Sequence, residues 1–109
     1  MKFLVIRHID FIKLLSEVKN DKKRFISLIK NATNSEINAL SELIYNIVKG
    51  YLPCSPYRKK ILKNHTSDLR MIANKKEKFK NRRKKIVQKG GLLLPSLIPI
   101  VLTALSSLI

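Results

Sequence analysis

Apolar positions in the first half of the chain recur at intervals of three and four, with charged and polar residues between them. Phe11, Leu14, Leu15 and Val18 form the first such face. That spacing brings side chains to one side of an α-helix and predicts a helix from about Lys2 or Arg7 to Lys19. Asn20 and Asp21 are capping residue types, and a second, shorter helix carries Phe25, Leu28, Ile29 and Ala32. Asn34-Ser35 is expected to cap a third, in which Ile37, Leu40, Ile44 and Ile47 make a stripe backed by Leu43 and Val48. Gly50 after Lys49 is a stop signal with a cation in the last turn. Three short amphipathic helices need one another to bury these faces, so residues 1–53 are expected to form a three-helix domain.

Leu52-Pro53-Cys54-Ser55-Pro56 is the clearest break in the pattern. A residue before proline is pushed out of helical conformation, and Ser55-Pro56 then reads as an N-cap and a first helical position. The fourth helix, next in the chain, has a thin seam of Ile61, Leu62, Leu69 and Ile72, expected to pack on the bundle with its cations outward. From Lys75 to Lys89 the seam nearly vanishes. Only Phe79, Ile86 and Val87 are apolar candidates there, and cations cover every side. Such a segment repels itself and is expected to fray alone and to order on a polyanion.

The pattern changes once more at Leu92. From there to Ile109 run 18 residues without Lys, Arg, Asp, Glu, His, Asn or Gln. As a helix this run would reach roughly 27 Å, just short of a hydrocarbon core of about 30 Å. With Pro95 and Pro99 near its start, Leu92 to Leu94 is expected to be an entry segment and regular helix to begin from about Pro95 or Pro99. Ser96, Thr103 and Ser107 fall on one side of that helix, a stripe suited to helix packing or a water-facing edge. The predicted class is all-α: a small helical bundle, then a basic helical region over 54–91, then a hydrophobic tail helix over 92–109. The candidate membrane or partner contacts of that tail are Leu93, Leu94, Leu97, Ile98, Ile100, Val101, Leu102, Leu105 and Leu108.

Charge sharpens this division. The 109-residue chain has 23 Lys and Arg against 7 Asp and Glu, a formal net charge of +16. Met1 to Ser55 carries nine cations and five acids, whereas Pro56 to Gly91 carries 14 cations and two acids. Concentration in one third of the chain is the footprint of a polyanion partner. The candidate phosphate contacts are Arg82, Arg83, Lys84 and Lys85, helped by Lys75, Lys76, Lys78, Lys80 and Lys89 and by Arg58, Lys59 and Lys60. Each cation that neutralises a phosphate releases counterions, giving salt-sensitive and sequence-blind attachment. Stacking on single strands needs interleaved aromatics, and this region has only Tyr57 and Phe79. Duplex backbone binding is therefore expected. A solvated face, an anionic membrane surface and a nuclear localisation signal remain alternative readings of the same run.

Catalytic chemistry has little to work with. His8 and His65 are far apart in sequence, and no Cys/His/Asp cluster, GxGxxG, P-loop, HExxH or GxSxG pattern occurs. The expectation is a non-enzyme without cofactor or metal. Single Cys54 cannot make an internal disulfide. Arg7, His8 and Asp10 interrupt the apolar start, which makes it a poor signal peptide. Without such a signal, the triplets Asn31-Ala32-Thr33 and Asn64-His65-Thr66 carry little weight as glycosylation sites.

The order of basic block, double glycine and apolar run with two prolines is specific. Gly90-Gly91-Leu92-Leu93-Leu94-Pro95-Ser96-Leu97-Ile98-Pro99-Ile100 resembles the corresponding segment of the adenoviral core protein X (mu precursor) family, as found also in Maverick/Polinton or adintovirus-like elements. The resemblance covers about the last quarter of the chain. The spacing of Glu42, Asn46 and Gly50 before the Pro-Cys-Ser-Pro turn is also similar to small proteins of those elements; Glu42 and Asn46 lie one turn apart and read independently as an intrahelical pair. The resemblance implies a virion core protein on packaged double-stranded DNA, with a tail removed by a viral cysteine protease. In that family the protease cuts after Gly-Gly, which maps to Gln88, Lys89, Gly90 and Gly91 before the cut and Leu92 after it. Gln88 stands where the family pattern has an aliphatic residue. Without a cut, Gly90-Gly91 serves as a hinge.

Two functional classes fit these features. The first is a virion core protein, in the virion and host nucleus, that binds and condenses double-stranded DNA non-specifically. Its tail would engage a capsid protein or membrane, and its helical domain would support self-association. The alternative is a tail-anchored, membrane-active protein with a polybasic flank. A weaker third reading, a helix-turn-helix around the Pro-Cys-Ser-Pro turn, has too long a turn and few base-reading residues.

Overall fold

The computed structural model of the protein describes residues 3–18, 20–49, 56, 60 and 63–89. The Pro-Cys-Ser-Pro turn (Pro56 apart), the expected helical residues Ile61 and Leu62, and the whole of the tail at 92–109 lie outside the described residues. The class is all-α. The helices used below are α1 (Phe3–Arg7), α2 (Ile9–Glu17), α3 (Lys22–Asn31), α4 (Asn34–Val48) and α5 (Thr66–Ala73), with α6 over residues 79–89.

The first expected helix is divided at His8. Its backbone, at φ −107° and ψ 28°, leaves the helical region, yet its N–H still donates to Leu4 O at 3.1 Å and its carbonyl accepts from Ile12 N–H at 3.1 Å. The imidazole accounts for the bend: Nε2 and Ser35 Oγ at the start of α4 share a hydrogen bond of 2.7 Å. The bend also turns Ile12 into the core in place of Leu14, which is 41% exposed.

Caps delimit the next two helices. Asp21 accepts the Arg24 N–H at 3.3 Å and starts α3. For α4 the expected cap, Asn34-Ser35, is displaced by one residue. Thr33 Oγ1 accepts from Glu36 N–H at 3.1 Å, and Glu36 Oε1 accepts from Thr33 N–H at 2.8 Å. This reciprocal capping box satisfies two backbone donors that a helix start otherwise leaves open.

Helix α4 is the axis of the core. Ile37, Leu40 and Ile44 are buried on one face and Ala39 and Leu43 on another, so α4 needs neighbours on more than one side. It packs most extensively on α5 and also on α1. One hydrophobic cluster joins Val5, Phe11, Leu15, Phe25 and Ile29 to Leu40, Leu43, Leu69, Ile72 and Ile86. The core therefore does not divide at residue 53. Burying Leu69, Ile72 and Ile86 stabilises by roughly 1.5–3 kcal/mol each, comparable together with the entire stability of about 5–15 kcal/mol expected of a small domain. Helices α1 to α4 depend on that contribution.

Candidate nucleic-acid interface

The basic segment is where sequence and structure part. Asn74 opens a turn by accepting Lys76 N–H on Oδ1 at 3.0 Å and Glu77 N–H on its carbonyl at 3.0 Å. Residues 79–89 then form α6. The missing piece of its apolar seam is Arg82. Phe79, Arg82, Ile86 and Val87 recur at helical spacing; Arg82 is 1% exposed and Ile86 is 0% exposed, and Phe79 and Val87 pack against the core.

Arg82 sits inward because its polar groups find partners there. Nη1 donates to Asn38 Oδ1 at 2.9 Å and to Ser41 Oγ at 2.8 Å, and Nε donates to the Glu77 carbonyl at 3.1 Å. Asn38 and Ser41 are three residues apart on α4, one turn, so both reach the same guanidinium. Its Cζ lies 4.4 Å from the centroid of the Phe79 ring, a cation–π contact in a desolvated setting. Burial lowers the Arg82 pKa, an effect the nearby Glu77 charge opposes. Arginine nevertheless keeps its proton at ordinary pH.

Other cations of the block are engaged as well. Arg83 Nη1 donates to Ile29 O at 2.8 Å and Ala32 O at 2.6 Å, and Nη2 donates to Asn34 Oδ1 at 3.2 Å. It thereby closes carbonyls at the C-terminus of α3, where a positive charge is favoured. Lys85 pairs with Asp68 of α5 at 3.2 Å, and Lys75 pairs with Glu42 of α4 at 2.6 Å. Glu42 Oε2 is buried without a hydrogen-bond partner. The expected Glu42–Asn46 pair is instead a bond from Asn46 Nδ2 to the Glu42 carbonyl, 2.8 Å.

Arg82 and Arg83, placed by the sequence at the head of the phosphate contacts, thus direct their guanidinium hydrogen bonds to the protein itself, and Lys75 and Lys85 are tied to carboxylates. Of the predicted contacts, Lys60, Lys76, Lys78, Lys80 and Lys84 are exposed and Lys89 is half-buried; Arg58 and Lys59 lie outside the described residues. Lys80 and Lys84 occupy the side of α6 opposite Arg82 and Ile86, about 6 Å apart along the axis, and Lys76 and Lys78 stand in the preceding turn. Exposed cations outside the predicted set, Lys13, Lys22, Lys23, Lys30 and Lys49, add to the surface charge. Their exposure was readable from their positions off the apolar faces.

Of the predicted cleavage residues, Gln88 and Lys89 are helical and Gln88 is exposed. Gly90, Gly91 and Leu92 lie outside the described residues, as do Leu93, Leu94, Leu97, Ile98, Ile100, Val101, Leu102, Leu105 and Leu108. No described helix is long and apolar enough to cross a membrane. Among the described residues no group of three or more His, Cys, Asp or Glu is placed to hold a metal ion. Compared with family models, curated proteins and solved structures, the chain matches none.

Proposed function

We propose that the protein binds double-stranded nucleic acid through the phosphate backbone, without sequence preference, as a virion core protein of the kind its Gly-Gly and apolar tail resemble. The observation that carries the reading is the division of labour in α6. One side is fastened into the core by Arg82 and Ile86, and the opposite side offers Lys80 and Lys84 beside Lys76 and Lys78. A rigid row of lysines suits point-charge contact with phosphates. Base reading favours Arg, Asn or Gln set at groove depth, whereas the two arginines here are turned to the protein itself. The tail from Leu92 onward is then an accessory that engages a capsid protein or membrane until a viral cysteine protease removes it.

The test is a titration of the full chain against random-sequence duplex DNA at several salt concentrations. Each phosphate contact contributes about −0.9 to the slope of log K against log salt, so Lys76, Lys78, Lys80 and Lys84 together predict a slope near −3.6 or steeper. A steep slope with equal affinity for unrelated sequences supports the proposal. Weak, salt-insensitive binding overturns it, and binding to anionic vesicles in its place would favour the tail-anchored reading.

A further inference from the structure

Away from the outer side of α6, the C-terminal half of α4 and the residues around the end of α5 border an open cavity of about 790 Å³. That volume lies within the range of about 300–1,000 Å³ typical of small-ligand sites. Its described walls bring together Tyr45, Lys49, Arg70, Lys75 and Lys76, with Glu42 as the one carboxylate. Lys75 neutralises Glu42 at 2.6 Å, so the remaining charge of the site is cationic.

Two chemistries meet there. Tyr45 is 45% exposed, one of three large hydrophobic side chains left open in this way among the described residues, and Lys49 Nζ lies 5.8 Å from its ring centroid. The ring is an exposed flat surface with a cation already at its face. Arg70 and Lys76 are exposed and form no ion pair among the described residues. A guanidinium and an ammonium lining one concave site suit a phosphate group in charge and hydrogen-bonding capacity. A bare anion would leave Tyr45 unused, and an apolar ligand would leave the cations unused.

We propose that this cavity binds a nucleotide, with its base against the Tyr45 ring and its phosphate held by Arg70 and Lys76. The inference is separable from the duplex reading: Lys76 is common to both, but Lys78, Lys80 and Lys84 do not line the cavity, and Tyr45 and Arg70 are not among the duplex contacts.

The experiment tracks the amide resonances of the isotopically labelled full chain during titration with adenosine monophosphate, and separately with inorganic phosphate. Saturable shifts centred on Tyr45, Lys49, Arg70 and Lys76 are expected with the nucleotide. Base–aromatic stacking of about 1–3 kcal/mol corresponds to a loss of roughly five-fold to about 150-fold for Tyr45→Ala. Tyr45→Phe should retain affinity, and inorganic phosphate should bind Tyr45→Ala and the parent chain alike. The double variant Arg70→Ala, Lys76→Ala should weaken both ligands. Equal affinity of Tyr45→Ala and the parent for the nucleotide overturns the proposal and leaves a plain anion site; so do shifts confined to residues 80–84. Competition separates the two sources of the ligand: displacement by a single-stranded oligonucleotide identifies an unpaired nucleotide of a strand, and no displacement identifies the free nucleotide. Loss of duplex affinity with nucleotide binding intact would sink the earlier reading alone.

Discussion

Arg82 Nη1 and Ser41 Oγ lie 2.8 Å apart in the interior, joining residues 41 positions apart in the chain. Arg82→Ala removes the donor to Ser41, Asn38 and the Glu77 carbonyl and opens a cavity. Each buried polar group left unpaired costs about 1–3 kcal/mol, so the variant should lose at least about 2 kcal/mol in urea unfolding. Arg82→Lys should not restore it, because an ammonium cannot reproduce the planar fork. A variant that lost duplex affinity at unchanged stability would contradict the structural role.

Arg83 holds α6 to the end of α3. Arg83→Ala should cost about 1–2 kcal/mol and raise amide hydrogen exchange over residues 29–34, where its three acceptors lie. Exchange changes confined to α6 would show that the contact does not bridge the helices.

Lys80 and Lys84 separate binding from folding. Substituting both with alanine should leave unfolding within about 0.5 kcal/mol, as for surface positions generally, and should reduce the magnitude of the salt slope by about 1.8, or 0.9 per phosphate contact. An unchanged slope would remove α6 from the interface.

Glu77 gives the fold a pH dependence of known sign. The hydrogen bond from Asn81 Nδ2, 2.7 Å, and then that from Lys78 N–H, 3.2 Å, hold its carboxyl below its ordinary pKa, with weaker help from the charges of Lys78 and Arg82. A carboxyl with a depressed folded-state pKa contributes stability above its unfolded pKa and loses it as pH falls through the folded value. The melting temperature should therefore decline on acidification below the ordinary carboxylate range. Glu77→Gln, which keeps an acceptor for both donors, should flatten that part of the profile.

The amphipathic faces made most of the fold legible. Phe11, Leu15, Phe25, Ile29, Leu40, Ile44, Leu69 and Ile72 were all expected inside and all lie there. The pattern conceals Arg82, because a charged side chain within a basic run reads as solvent-facing. Phe79, Arg82 and Ile86 have the spacing of a buried stripe, but an arginine in the middle breaks it for any reading by hydropathy. The available clue is Asn38 and Ser41, two polar residues one turn apart on α4 beside its apolar stripe, which together match a guanidinium. The capping box was readable too, in Thr33-Asn34-Ser35-Glu36, although Asn34 and Ser35 are themselves good caps and obscured it. The candidate interface was less legible than the fold, because charge composition counts cations without saying which ones already have partners.

Ile86 completes a core that begins at Val5, and this bears on how the protein is made. As the ribosome delivers the chain, α1 to α4 are made first, and the part of their apolar surface that belongs with Leu69, Ile72 and Ile86 stays uncovered until α5 and α6 arrive. That interval exposes nascent helices to chaperones and to neighbouring chains on the same message. Conditions that hold back residues 49–86 while α1 to α4 are already made should therefore lower the soluble yield of the protein.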